Sequence, residues 1–217
     1  MLSAIPMFSN LNSAQLARIS AHAAVRAVEK GEVILRQGDI ADSCFVILSG
    51  QMKVYSTDAA DANREVIYKT LTVGDFFGEL PMFDHEPRCA NIAAMENGRV
   101  QMLSYKAFLR VMEESPEISR LVMETMAKRL RHADRKIGAL ALTDINSRVS
   151  RTLLELAILS NGKRVVGEPF TQKDLAGMVG ASREMVNRTL QDLANDGCID
   201  VRRKQITILD AEKLIAH

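Results

Sequence analysis

Two short runs of this sequence carry side chains that could do chemistry. In the first, Phe76–Ile92, a glycine and a carboxylate are adjacent at Gly78 and Glu79, and an arginine follows at Arg88. Glycine lets backbone approach a ligand closely, a carboxylate accepts from a hydroxyl, and a guanidinium meets an anionic oxygen pair with two parallel N–H donors. The turn from Leu80 to Phe83 could aim backbone N–H groups at the same anion, and Pro81, which has none, is tolerated in a first helical turn. These parts suit a phosphodiester with a free sugar hydroxyl. They also compose an ordinary glycine turn beside a surface Glu–Arg pair, and the residues by themselves favour that plainer arrangement.

The second run begins at Thr171. Thr171 with Asp174 approximates a capping box and starts a helix through Leu175, Ala176, Met178 and Val179 that stops at Gly180. Ser182 caps a second helix, Arg183 to about Asn195, whose inner face is Val186, Leu190 and Leu193. Ala176 and Gly180 are small where two helices cross closely, and Gly180 suits a left-handed turn. Arg183, Glu184, Asn187 and Arg188 project from the first turns of the second helix, where a recognition helix meets base edges. Arginine forks onto guanine O6 and N7, and glutamate accepts from cytosine N4. An acid among arginines weakens plain phosphate binding, so the set favours base reading over a generic basic patch. Helix pairs of this length also occur as ordinary packing units, and shape alone leaves both readings open. Downstream, Cys198–Val201 and Gln205–Leu209 read as strands around Arg202, Arg203 and Lys204, a wing touching phosphate.

The elements that hold these runs are visible in the spacing. From Gly31 to about Tyr105, short β-rich runs (Val33–Leu35, Cys44–Leu48, Met52–Tyr55, Val66–Leu71, Val100–Tyr105) alternate with glycine turns, which predicts a sandwich or barrel. The polar stretch Thr57 to Arg64 reads as a hairpin loop, and Ser13 to His22 as a short leading helix. From Pro116 to Leu140 the pattern changes. Met123, Met126, Leu130, Ala133, Ile137 and Leu140 recur at spacings of 3 and 4, the seam of a helix that pairs with another helix or packs on its own domain. Thr143-Asp144 reads as a hinge and N-cap. It opens an amphipathic helix with Ile145, Val149, Leu153, Leu156 and Leu159, ended by Asn161-Gly162. The expected domains are 1–115, 116–143 and 144–217.

The segment TQKDLAGMVGASREMVNRTLQDLANDGCI is similar to the winged helix of the CRP/FNR family, and Ser182, Arg183, Glu184 and Arg188 match its CRP branch. The run FFGELPMFDHEPRCANI resembles the phosphate-binding cassette of cyclic-nucleotide-binding domains at its Phe-Gly-Glu-Leu start and its Pro-Arg-x-Ala end, Pro87 to Ala90. The resemblance implies a two-domain α+β fold: an N-terminal double-stranded β-helix or jelly-roll barrel, a long dimerisation helix, and a C-terminal winged helix-turn-helix. It implies that Gly78, Glu79, Leu80, Arg88, Cys89 and Ala90 hold ribose and phosphate, with Arg129 as partner of the glutamate. Ala133 and Asp134 stand where cAMP-responsive relatives present a threonine and a serine to adenine, and Cys89 where the CRP branch has serine. The implied DNA contacts are Thr171, Gln172, Ser182, Arg183, Glu184, Asn187, Arg188 and Arg203, on a palindrome with TGTGA-like half-sites bound by a homodimer.

The expected effector is a cyclic nucleotide, cAMP first, with cGMP, cyclic di-GMP, haem or NO, redox state and ligand-free action as alternatives. RNA polymerase is a candidate partner, although the connection Asn161–Gly167 is shorter than the polymerase-touching loop of CRP-like activators. With 28 basic and 27 acidic residues the net charge is +1, so DNA would be recruited by local clusters and not by a global field. The chain shows no apolar run near the ~18 residues of a membrane span and no signal-peptide pattern at Met1–Asn10, which places the expectation in the cytoplasm. Cys44, Cys89 and Cys198 are too scattered for a metal site, and no nucleophile–base pair suggests an enzyme.

Overall fold

A computed structural model describes residues 23–61, 64–160, 162–167, 169–202 and 205–216. The helix expected at Ser13–His22 and the wing residues Arg203 and Lys204 lie outside the described residues. The chain forms two compact units, residues 1–56 with 69–131, and residues 57–68 with 132–217.

Residues 24–104 contribute two four-stranded sheets. One orders β1 (Ala24–Val28), β8 (Gly98–Ser104), β3 (Ser43–Ser49) and β6 (Phe76–Phe77); the other orders β2 (Val33–Leu35), β7 (Asn91–Ala94), β4 (Met52–Thr57) and β5 (Glu65–Leu71). This is the jelly-roll expected from the sequence. Strand β3 shows why it closes. Successive side chains of a strand point to opposite faces, and here both faces are buried. Phe45 and Ile47 join the core shared by the two sheets with Leu35, Met52, Phe77 and Val100, while Cys44 and Val46 face a second cluster. Phe45 and Phe77 stack with ring centroids 5.3 Å apart.

That second cluster seats the helices. α1 (Pro81–Asp84) contributes Met82, α2 (Tyr105–Glu114) contributes Phe108 and Val111, and α3 (Pro116–Leu142) contributes Ile118 and Val122. Ser119 donates to the Met112 carbonyl at 2.9 Å, fixing the α2–α3 corner. Past Val122 the seam diverges from its own core. Met126 packs against the cluster, whereas Met123, Leu130 and Ile137 are 64%, 64% and 65% exposed.

In the second unit, α4 (Ile145–Leu156), α5 (Gln172–Val179), α6 (Arg183–Asn195) and α7 (Ala211–Ala216) surround one core with Val149, Leu153, Leu175, Val186, Leu190 and Leu193. The caps form as the sequence predicts. Asp144 accepts from Ser147 N at 2.8 Å, Thr171 and Asp174 make a full capping box, and Ser182 accepts from Met185 N at 3.2 Å. A sheet ordered β11 (Ile199–Arg202), β12 (Gln205–Ile208), β10 (Lys163–Val166) and β9 (Ile158–Ser160) completes the unit. Here the sequence reading needs correction. Leu159 is not on α4, which ends at Leu156 because Ala157 turns extended; Leu159 sits in β9, paired with Arg164. Asn-Gly between short apolar runs is as much a hairpin signal as a helix stop, and the hairpin wins.

Gly180 adopts φ +67 and its N–H region closes α5 through the Ala176 carbonyl. A left-handed residue with a side chain costs about 1–2 kcal/mol. Gly180→Ala is therefore expected to lower the free energy of unfolding by that order, measured by urea denaturation followed by circular dichroism, with secondary structure retained.

Candidate anion site and nucleic-acid interface

The strand-turn carrying Gly78 and Glu79 and the loop carrying Arg88 meet inside the first unit. Gly78 has φ +75, and a Cβ there would lie 2.6 Å from Arg88 Nη1 and 2.9 Å from Leu35, so only glycine fits against the guanidinium. Arg88 is 6% exposed. Its Nη1 donates to the Gly78 carbonyl and to Tyr105 OH at 2.9 Å, and its Nη2 donates to the Ser43 carbonyl at 2.7 Å. Tyr105 in turn donates to the Gly78 carbonyl at 2.5 Å. Among the described residues no carboxylate forms an ion pair with Arg88.

Glu79 is 2% exposed and belongs to a different arginine. Arg129, from α3, donates through Nη1 to Glu79 Oε1 and through Nη2 to the Phe76 carbonyl, and its guanidinium lies 4.7 Å from the Phe76 ring centroid. The surface Glu–Arg pair that the residues alone favoured is thus absent: both partners are buried and neither binds the other. Burial pushes the Glu79 carboxyl above its ordinary value, and Arg129 pulls it partly back. Half-buried Lys69 lies in the same electrostatic neighbourhood, where burial and the Arg129 charge hold its ammonium below the usual range. Burial also pushes the Tyr105 phenol up to about 12, so it stays protonated.

The other expected site residues are placed unevenly. Ala90 is buried beside the site, whereas Leu80 and Cys89 are exposed. The N–H groups of Met82 and Phe83 do not point outward. They donate to the Glu79 and Leu80 carbonyls at 2.9 and 2.8 Å, because α1 is one tight turn that consumes them. Ala133 and Asp134 are exposed on α3, so the cost of burying an acid does not arise within one chain. His85 is exposed too, and among the described residues no group of His, Cys, Asp or Glu could hold a metal.

On the second unit, α5 and α6 form the helix-turn-helix. Ser182, Arg183, Glu184, Asn187 and Arg188 are all exposed at the start of α6, while Val186 and Leu190 anchor it at 0% and 3% exposure. Thr171 and Gln172 are exposed at the start of α5. Arg148 ties the end of α5 to α4, donating to the Val179 carbonyl at 2.9 Å and the Thr143 carbonyl at 2.6 Å. Arg202 is held by Asp200 at 2.8 Å at the base of the wing.

A jelly-roll with a glycine–arginine anion cradle, joined through a long helix to a helix-turn-helix, defines a class of ligand-sensing DNA-binding protein. Residues 25–115 match the cyclic nucleotide-binding domain and residues 147–217 the Crp-like helix-turn-helix domain. A CRP-like cAMP-activated global transcriptional regulator of Mycobacterium tuberculosis is 32% identical over 85% of this chain and 84% of its own. The cAMP-activated global transcriptional regulator Vfr of Pseudomonas aeruginosa is 33% identical over 89% of this chain and 92% of its own. The c-di-GMP responsive global regulator CLP of Xanthomonas campestris superimposes with a TM-score of 0.79 at 25% identity, over 91% of this chain and 99% of that one. The chain belongs to the CRP/FNR family of transcriptional regulators. Among the described residues no helix is long and apolar enough to cross a membrane.

Sequence reasoning missed Tyr105, Lys69 and the carbonyls of Gly78 and Ser43. Tyr105 reads as the end of a strand, and nothing in its neighbours marks it. A raised carboxyl in the folded state favours the protonated form. The stability that protonation of Glu79 adds is full below the unfolded value of 4.5 and is lost as pH rises through the folded one. In a carbon-13 NMR titration, Glu79 is expected to titrate above the ordinary range, and Arg129→Met to move it higher still.

Proposed function

We propose that this protein is a homodimeric transcription regulator whose operator affinity is set by a cyclic nucleotide at the Arg88 site, cAMP being the first candidate. The observation that carries the reading is the Arg88 guanidinium: buried, and among the described residues in contact only with neutral oxygens. A charge taken out of water is costly unless it is paired, so such a group is poised for an anion. Glu79 beside it accepts from a ribose hydroxyl, and Gly78 lets the sugar-phosphate approach. The cAMP-activated relatives in Mycobacterium tuberculosis and Pseudomonas aeruginosa support this choice.

A second reading, a cyclic dinucleotide, is favoured by Ala133 and Asp134, which lack the hydroxyls that face adenine in cAMP-responsive relatives. The c-di-GMP responsive CLP points the same way.

A second copy of the chain covers the exposed seam Met123, Leu130, Ile137 and Leu140 of α3. The pair then presents two α6 helices about 34 Å apart to a two-fold operator with TGTGA-like half-sites. Arg183 and Arg188 read G·C pairs, Glu184 takes a cytosine amino group, and Thr171, Gln172, Ser182, Asn187 and Arg203 position the backbone. The ligand acts by binding one register of the paired α3 helices more tightly than the other, and shifts the equilibrium by that difference alone. The protein acts without catalysis, within the cytoplasm.

Calorimetry with cAMP, cGMP and cyclic di-GMP, followed by operator binding with each, tests the sensor. Arg88→Leu should remove ligand binding; equal ligand affinity in mutant and parent refutes the site. Glu184→Ala should relax base preference at one position of each half-site in a binding-site selection, at about 1–3 kcal/mol of discrimination. An identical sequence logo would remove Glu184 from the reading set. Leu130→Glu with Ile137→Glu should give monomers by light scattering.

A further inference from the structure

The cassette motif contains Arg88 but nothing that aims it. A guanidinium has five N–H donors in one plane, and its value for a phosphate depends on where that plane points. In this structure three of the five are fixed from behind: two on Nη1 by the Gly78 carbonyl and Tyr105 OH, and one on Nη2 by the Ser43 carbonyl. The Nε–H and the second Nη2–H make no hydrogen bond among the described residues, and two donors are what a bidentate phosphate contact uses.

We propose that Tyr105 is the positioning residue of this anion site. Its hydroxyl sets the plane of the Arg88 guanidinium, and so decides which phosphate oxygens the remaining two donors meet. The inference rests on the cyclic-nucleotide reading and deepens it. The phenol accepts from Arg88 at 2.9 Å and donates to the Gly78 carbonyl at 2.5 Å, so arginine, phenol and carbonyl form one closed ring of contacts. The ring face also lies under the guanidinium, 5.9 Å from its centroid to Cζ. Tyr105 itself is anchored. Its N–H donates to the Asp42 carbonyl at 2.9 Å, and it opens α2, whose Phe108 and Val111 are buried in the cluster that seats α3. Of the three groups holding the guanidinium it is the only side chain, and hence the one that substitution can remove.

Tyr105→Phe keeps the ring and deletes the hydroxyl. The two non-bridging oxygens of a cyclic phosphodiester are distinct, and replacing one or the other by sulfur gives two diastereomers. A fixed guanidinium discriminates between them; a loosened one does not. The probes are cAMP and the Sp and Rp forms of its phosphorothioate, or the same pair for cGMP or cyclic di-GMP if the parent prefers it, each titrated by calorimetry into the full-length dimer. The expected result is a parent that prefers one diastereomer, and a Y105F variant in which affinity for the natural nucleotide falls about five- to tenfold while the Sp/Rp ratio moves towards one. A merely structural tyrosine would lower the melting temperature and leave that ratio where it was. Should Y105F fail to fold, 3,5-difluorotyrosine at position 105 keeps shape and hydroxyl but weakens the acceptor, and the ratio should fall likewise. Parent-like discrimination in either variant overturns the proposal alone. A parent that binds no cyclic nucleotide overturns it together with the reading beneath it.

Discussion

The burial of one guanidinium that pairs with no carboxylate among the described residues is the constraint around which the first unit is arranged. Arg88 cannot leave its place without stranding two carbonyls and a phenol, and cannot stay there cheaply as an uncompensated charge. The glycine at 78 exists because a Cβ would collide with that side chain. The glutamate that could have neutralised it is diverted to Arg129, which is rooted in α3 and also grips the Phe76 carbonyl. The long helix is therefore stitched to the same strand-turn that carries the anion cradle. Two side chains, Glu79 and Arg129, join the turn that carries the cradle to α3. That short path gives physical content to the idea of a nucleotide biasing a helix register.

Much of this was legible in the sequence, for reasons that differ by element. Strand β2, Val33–Leu35, coincides with the run seen between glycine turns, and β3, β4, β5 and β8 differ from theirs by no more than two residues at either end. Turn chemistry and period-two burial carry that information. Strand β1 was invisible because its pattern is nearly all exposed, and β6 because two phenylalanines make no pattern. The α3 seam was legible as periodicity, yet periodicity does not say which positions face the chain's own core. The structure assigns Met126 inward and Met123, Leu130 and Ile137 outward. In the cradle, Gly78, Glu79 and Arg88 were found by type and spacing, but their pairing was not. A pattern of residues states which groups are near in sequence, whereas Arg88 is completed by Ser43 and Tyr105, 45 and 17 residues away.

The second unit solves a different problem by local means. Its caps, at Asp144, Thr171 and Ser182, each satisfy backbone donors at a helix start with one short polar side chain. Such signals span four residues, which is why the starts of α4, α5 and α6 were read from the sequence, whereas the β9–β10 hairpin and α7 were not. Local specification leaves one face of α6 open: Arg183, Glu184, Asn187 and Arg188 are exposed. On the proposed reading, the bases they meet would set their order.

The rim of the cradle carries a natural labelling point. Of the chain's three cysteines, Cys44 and Cys198 are buried and Cys89, next to Arg88, is exposed. A maleimide dye would thus tag the protein at a single atom, next in sequence to Arg88, with no engineered thiol. Partial burial and the neighbouring Glu79 charge keep the Cys89 sulfur protonated above its usual range, so labelling runs best in mildly alkaline buffer. On the proposed reading, a fluorophore tethered there would sit beside the bound ligand and report its arrival directly.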